Sequence, residues 1–183
     1  MFERRQFISL GASLLAAGAS AAGPACAQAD DPAARLAAMG LELPKLPQPL
    51  GSYAPYAIDG RLLFISGQLP LKEGKLVATG RVPSEVSLEA AQAAARQCAV
   101  NILAAASLAL AGDLSRISAC LKLTGYVACD PGFPDQPKVV NGASDLMAAV
   151  FGERGRHARA AVGVSALPLG APVEVDAIFA LQA

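Results

Sequence analysis

The chain has 183 residues, and its 15 lysine and arginine side chains balance its 15 aspartate and glutamate side chains. A formal net charge of zero gives no general attraction for nucleic acid or for anionic lipid. Because the sequence contains a single histidine, a multi-histidine metal site and a conventional histidine-based triad are both disfavoured. The composition therefore favours one globular domain with no metal, no cofactor and no nucleic-acid partner.

The first 29 residues have the features of an export signal and are set apart from the fold. Arg4 and Arg5 precede a weakly hydrophobic stretch rich in glycine and alanine, and residues 27–29 form a small-x-small cleavage site. This pattern is typical of twin-arginine export, and it predicts a periplasmic protein with no membrane attachment after cleavage. A lipoprotein anchored through Cys26 and a retained N-terminal membrane helix are the alternatives.

Residues 30–50 are rich in alanine and then in proline and leucine, which predicts an extended N-terminal arm before a single domain over 51–183. In that domain Asp59-Gly60 separates two apolar runs. An Asp-Gly pair in this setting is the strongest short signal for a β-hairpin, and we expect both turn residues to adopt positive φ. Residues 72–75 predict a second tight turn.

Small apolar residues recur every three or four positions from Ser87 to Ala111, which predicts a helix with Ser87 as N-cap and Gly112 as its stop. Residues 116–129 alternate as one long strand. No CxxC pair or metal-ligand spacing is present, so the cysteines after the leader are expected to be buried free thiols. They are Cys98, Cys120 and Cys129.

A second helix is expected before residue 152, with Asn141 or Ser144 as its N-cap. Two apolar runs around residues 167–170 then predict a C-terminal β-hairpin. The element order is therefore ββ(β)–α–β–α–ββ. Two helices against one sheet define an α+β fold.

Two charged groups in the last 30 residues point to a ligand site. Arg159 lies at the start of a strand, and Glu174 and Asp176 lie within a run of valine, isoleucine and alanine. An arginine there favours binding to an anion, and carboxylates are costly in an apolar strand. We therefore expect a small carboxylate-binding site with an acid/base group nearby. The alternatives are a structural ion pair or interface role for Arg159 or Glu174, and Asp176 is assigned to solvent or an interface.

Several motifs, in this order, resemble the RidA/YjgF family of reactive-intermediate deaminases, also known as L-PSP endoribonuclease-like proteins. The resemblance covers residues 40–183. It is carried by FISGQLP at 64–70, Asn141, Arg159 with its following strand, Leu167-Pro168 and VEVDAI at 173–178. Two segments are particularly similar to a less-studied bacterial subgroup: NGASDL at 141–146 and GRHAR at 155–159.

The resemblance implies a chorismate-mutase-like α+β fold with one mixed sheet and two helices packed on one face. It also implies a homotrimer whose sites lie between subunits, where a 2-imino acid is hydrolysed to a 2-keto acid and ammonia without a cofactor or metal. Arg159 would hold the substrate carboxylate, and Glu174 would hold or activate the attacking water. The pocket would be shaped by Tyr53, Ser66, the backbone of Gly67 and Asn141, with His157 at its edge.

The spacing of the two charged groups bears on how such a site is assembled. If the last two strands form a hairpin, Glu174 lies opposite Ser165, six residues or about 20 Å from Arg159. Either the two groups serve different purposes or a neighbouring subunit brings them together, and we predict the second. Two other functions stay open: a non-catalytic binder of small carboxylates, and an endoribonuclease, which the neutral charge and the lack of tryptophan disfavour.

Overall fold

The computed structural model describes residues 31–46 and 52–183, so the leader expected over 1–29 lies outside the described residues. The N-terminal arm is not wholly extended, because Pro32–Ala38 form a helix, α1. Asp31 is its N-cap, with Oδ1 accepting a hydrogen bond from the backbone N–H of Ala33 at 3.0 Å. Proline is favoured in the first turn of a helix, where its missing N–H is not needed. Leu36 then packs into the core.

Within the described residues, seven strands form a five-stranded mixed sheet and a small two-stranded ribbon. The order across the main sheet is β1-β2-β7-β5-β6, and only β5 and β6 pair in parallel. The strands are β1 (Tyr56–Asp59), β2 (Leu62–Gln68), β3 (Leu71–Lys72), β4 (Lys75–Leu76), β5 (Ile117–Ala128), β6 (Ala158–Val164) and β7 (Val173–Leu181).

The β1–β2 hairpin is confirmed, but its turn lies one residue later than expected. Asp59 pairs with Leu62, so the two turn residues are Gly60 and Arg61. Of these, only Gly60 has a positive φ, of 56°. A glycine at the first turn position of a two-residue hairpin supplies the backbone conformation that a side chain would resist.

Two long helices cover one face of the main sheet, α2 (Leu88–Ala109) and α3 (Gln136–Phe151). The expected N-cap of α2 is confirmed, since Ser87 Oγ accepts from the backbone N–H of Ala90 at 3.2 Å. The helices approach each other closely at Gly142. A Cβ there would lie 2.0 Å from the carbonyl oxygen of Gln92, so the contact requires glycine.

Helix α3 begins six residues earlier than an N-cap at Asn141 would place it. Gln136 is its first residue, Asp135 occupies the N-cap position, and a proline again lies in the first turn. The proline-rich stretch 130–137 has the composition of a loop, but its last two residues, Gln136 and Pro137, are the start of the helix. As a result Asn141 and Ser144 are interior helix residues and not caps.

The expected C-terminal hairpin is wrong, because β5 lies between the last two strands. Strand β6 runs parallel to β5 with Arg159 aligned to Leu123, and β7 runs antiparallel to β5 with Ala177 aligned to Leu123. A strand that returns parallel to its predecessor needs a crossover, and α3 supplies it. Arg159 and Glu174 are therefore placed by separate pairings with the same central strand.

The sheet has one covered face and one face without helices. Along β7 the alternate residues from Val173 to Leu181 are buried under the helices, while Glu174 and Asp176 lie on the other face. Phe64 and Val162 also lie on the helix-free face, with 37% and 44% of their surfaces exposed. All three cysteines of the described residues are free and buried, as expected. No helix in this part of the chain is long and apolar enough to cross a membrane.

Candidate functional site

Arg159 lies at the edge of the sheet and contacts helix α3. Its Nη1 donates to Asn141 Oδ1 at 2.8 Å and to Ser144 Oγ at 3.0 Å. The two acceptors are three residues apart and so share one face of the helix. Both acceptors are neutral, and no ion pair among the described residues includes Arg159. The positive charge of this exposed guanidinium is therefore held in place but not neutralised.

His157 completes this cluster from the segment that leads into β6. Its Nε2 lies 3.0 Å from Ser144 Oγ, and its Nδ1 lies 2.7 Å from the carbonyl oxygen of Gly155. The ring is partly buried between the two. Three of the residues singled out in the sequence, Arg159, Asn141 and His157, are thus brought together.

Glu174 belongs to a second group on the helix-free face of the sheet. Its carboxylate packs directly on Gly67 of β2, where a Cβ would come within 2.0 Å of Glu174 Oε1. Gly67 lies where the register of β2 and β7 shifts, between Ile65 and Gln68. The missing side chain and the irregular pairing together make room for the carboxylate.

Burial raises the pKa of Glu174 above the ordinary carboxyl value, and the negative charge of Asp176 raises it further. Asp176 is itself bound by Tyr126, whose hydroxyl donates to Asp176 Oδ2 at 3.0 Å. Tyr126 lies next to Glu174 in the pairing of β5 with β7. A carboxyl group with a raised pKa can exchange a proton closer to neutral pH than an ordinary one.

A cavity of about 490 Å³ opens beside Gly67. The arm contributes Leu46 to its wall, and Tyr53, Asn101 and Leu169 line other sides. This volume is in the range of small-molecule sites, and mainly apolar walls with a few polar groups are typical of them. The cavity therefore adjoins the glutamate group and not the arginine group.

Ser66, which the resemblance assigns to the pocket, is hydrogen-bonded to the segment before β1. Its hydroxyl donates to the carbonyl oxygen of Ala54 at 2.7 Å, and its backbone N–H donates to the carbonyl oxygen of Pro55 at 3.1 Å. These bonds hold the segment that carries Tyr53, which is 57% exposed at the cavity. Ser66 thus anchors the wall and does not present its hydroxyl to the cavity.

The two groups are separated within one subunit. Glu174 aligns with Tyr126 and Arg159 with Leu123, which places them about 10 Å apart along the strands and two strands, again about 10 Å, across the sheet. They also lie on opposite faces, since Arg159 contacts α3 and Glu174 faces away from the helices. In the described residues no three His, Cys, Asp or Glu side chains converge to hold a metal ion.

Comparison with known proteins agrees with the fold and the motifs. The family model described as "YjgF/chorismate_mutase-like, putative endoribonuclease" matches residues 33–180, nearly the whole described chain. The chain belongs to this family. The expected chorismate-mutase-like α+β fold, a single domain with a mixed sheet, is confirmed.

Three relatives illustrate the range of the YjgF family around this chain. The crystal structure of a protein of unknown function from Agrobacterium tumefaciens superimposes on this chain with a TM-score of 0.79. The two sequences are 48% identical, and the match covers 86% of this chain and 96% of that one. Protein TCP17 from Trypanosoma cruzi is 45% identical over 151 residues, 82% of this chain and 94% of the relative. A RutC family protein from Sinorhizobium fredii is 35% identical over 135 residues, 74% and 91% of the two chains. None of these names specifies a reaction.

The trypanosome relative corrects one expectation. The predicted periplasmic location is wrong: a protein 45% identical over most of both chains comes from a eukaryote, which has no periplasm.

Sequence reasoning missed the role of Ser144, the bond between Tyr126 and Asp176, and the contribution of the arm to the cavity. Ser144 could have been found, because Asn141 and Ser144 have the i, i+3 spacing that puts two side chains on one helical face. No signal in the sequence relates Tyr126 to Asp176. Their contact depends on the register of β5 against β7, which local patterns do not define.

Proposed function

We propose that the protein hydrolyses small 2-imino acids to 2-keto acids and ammonia, in sites formed where one subunit of a homotrimer meets the next. The observation that carries this proposal is the state of Arg159. Its guanidinium is fixed by two neutral oxygens and has no carboxylate partner in the described part of the chain. It is therefore ready to bind an anion supplied from outside the subunit.

The substrate carboxylate would be bound by Arg159. A planar guanidinium binds a carboxylate through two parallel charge-assisted hydrogen bonds, which lysine cannot reproduce. Because Asn141 and Ser144 already hold the group, little of its side-chain entropy remains to be lost on binding. This half of the site supplies affinity and orientation.

Glu174 of a neighbouring subunit would supply proton transfer. Water adds to the electrophilic imine carbon and gives up one proton to the carboxylate, which passes it to the nitrogen. The carboxylate then carries the hydroxyl proton of this adduct to the nitrogen as the C–N bond breaks and the C=O bond forms, which releases ammonia and the keto acid. The imine carbon is already electrophilic, so the residues need only orient the reactants and move protons. The raised pKa of Glu174 suits both accepting and returning that proton.

The helix-free face of the sheet supports the oligomeric part of the proposal. The exposed apolar side chains there include Leu62 and Phe64 of β2 and Val162 of β6. Apolar side chains grouped on one face are typical of interfaces. Packing this face against other copies would bury them and would bring Glu174 close to a different copy's edge strand.

A non-catalytic binder of small carboxylates is the second candidate. It is favoured by the completeness of the arginine cluster within one subunit, which could bind an anion without Glu174. The third function, RNA cleavage, is named in the description of the family. A chain of zero net charge offers no general electrostatic attraction to RNA.

The test measures ammonia release from freshly generated 2-iminopropanoate by wild type, Arg159→Ala and Glu174→Gln, with Arg156→Ala as matched control. Arg156 is an arginine three residues away that pairs with Glu153 on the exposed surface. Hydrolysis is expected with wild type and Arg156→Ala and not with the other two. Equal ammonia release with and without wild-type protein would refute it. Keto-acid binding without turnover would favour the binder, and cleavage of a labelled RNA would favour the nuclease.

A further inference from the structure

Which atom donates and which accepts in the two hydrogen bonds of His157 follows from the chemistry of its partners. The carbonyl oxygen of Gly155 can only accept, so His157 Nδ1 carries the proton of the neutral ring. His157 Nε2 is then an acceptor, and the hydroxyl of Ser144 must donate to it. The hydroxyl proton of Ser144 is thereby directed away from Arg159, and its lone pairs face the guanidinium.

This direction matters because serine inside a helix has a competing partner. A serine hydroxyl ordinarily turns back to the carbonyl group four residues earlier, which here is that of Val140. The imidazole of His157 gives the hydroxyl of Ser144 another acceptor and so holds Oγ where it can receive Arg159 Nη1.

The effect on Arg159 is geometric. Asn141 and Ser144 use both hydrogens of Nη1, which fixes the plane of the guanidinium and its rotation about the Nε–Cζ bond. The two donors left on one edge are Nε–H and one hydrogen of Nη2, which point in parallel. That edge matches the two oxygens of a carboxylate.

We propose that Ser144 and His157 are positioning residues that lock the Arg159 guanidinium so that it presents its Nε/Nη2 edge to a carboxylate. The lock rests on the contacts above. Its consequence for turnover rests on the proposed function. Neither residue touches the substrate in this arrangement, and both act through Arg159.

The first test reads the tautomer of His157. The chain has one histidine, so the imidazole nitrogens are assigned in a ¹⁵N NMR spectrum without ambiguity. In the neutral form of the ring we expect the proton on Nδ1. A ring protonated on Nε2 would overturn the proposal, whatever the protein catalyses.

The second test follows the rotation of the Arg159 guanidinium by exchange between its two Nη signals. Rotation should be at least about fivefold faster in Ser144→Ala and in His157→Phe, because a loss of about 1 kcal/mol of hydrogen bonding corresponds to that factor. His157→Gln can keep an acceptor near the Nε2 position and should return the rate toward wild type. Asp145→Ala, an exposed change beside Ser144 on the same helix, is the matched control.

The third test measures binding of 2-oxobutyrate and the kinetics of imine hydrolysis. Ser144→Ala and His157→Phe should weaken binding and raise KM by about 5- to 10-fold, with kcat changed by less than about twofold. Equal rotation rates in wild type and both variants would overturn the lock. A different outcome is that the guanidinium rotates more slowly in wild type than in both variants while wild type neither binds the keto acid nor hydrolyses imine. That result would refute the proposed function and leave the lock supported.

Discussion

Arg159 and Glu174 lie on opposite faces of one sheet, on strands β6 and β7 that pair with the two edges of β5. A small 2-imino acid cannot span from one face to the other. If the two residues act on one substrate, they must come from different subunits. The spacing expected from a hairpin was incorrect, and a site shared between subunits stays a prediction.

Mixing two inactive variants tests whether the site is shared. Arg159→Ala and Glu174→Gln should each be inactive alone, whereas their co-refolded mixture should recover about a quarter of wild-type activity. That fraction follows because, in a cyclic trimer with random mixing, a quarter of the interfaces unite an intact arginine with an intact glutamate. Activity is measured as ammonia release per subunit.

The control for this experiment is a mixture of the two variants that is never unfolded, which should stay inactive while subunits do not exchange. A refolded mixture with no activity, beside a refolded wild type that is active, would contradict a shared site.

Replacing Gly67 by alanine should displace the carboxylate of Glu174 without disturbing the fold. The new Cβ would lie 2.0 Å from Glu174 Oε1, which is the end of a flexible side chain and can swing away. We expect a loss of turnover of about 100-fold, the order expected when a reacting group moves by about 1 Å. Thermal unfolding should change by only a few degrees.

A double-mutant cycle makes this prediction specific. If Gly67→Ala acts through the carboxylate, its effect on thermal unfolding should vanish in a Glu174→Ala background, which has no carboxylate to displace. Additive losses of stability would contradict an effect through the carboxylate.

The local elements could be predicted from the sequence, and the strand order could not. The hairpin of β1 and β2 and the helix after Ser87 depend on turn and capping residues close in the chain. The pairing of β6 with β5 depends on the crossover through α3, and two apolar runs near a turn resemble a hairpin equally well. The same limit applies to the candidate site. The residues could be named, but which of them meet depends on long-range register.

Asn101 should contribute measurably to stability. Its side chain is buried, and Nδ2 donates to the carbonyl oxygens of Leu69 and Leu71 at 2.9 and 3.0 Å, fixing the segment that lines the cavity. Asn101→Ala should lower the free energy of unfolding by about 1–3 kcal/mol, because those bonds are lost in a buried setting.

The comparison is made by thermal unfolding at one protein concentration, since an oligomer's stability depends on concentration. Leu108→Ala, an exposed change on the same helix, should alter stability by less than about 0.5 kcal/mol. An Asn101 variant as stable as this control would contradict the role assigned to the buried amide.

The pKa of Glu174 also makes a prediction for stability. Since burial raises this pKa above its unfolded value, the folded state favours the protonated form. The stability this provides is fully present below the unfolded pKa and is lost as pH rises through the folded pKa. Glu174→Gln, which stays neutral, should therefore be more stable than wild type at neutral pH and no more stable in acid. A stability difference that does not vary with pH would contradict the raised pKa.

Asp176 should influence the pH dependence of hydrolysis through Glu174. Its negative charge is the second cause of the raised pKa of Glu174, after burial. Asp176→Asn removes that charge, so the pKa of Glu174 should fall but stay above the ordinary carboxyl value. If ionised Glu174 accepts a proton from water, the acidic limb of the kcat profile should move to lower pH. Tyr126→Phe, which removes the hydrogen bond to Asp176 and keeps the charge, should not produce that downward shift. An acidic limb that stays in place in Asp176→Asn would mean that the group titrating in catalysis is not Glu174.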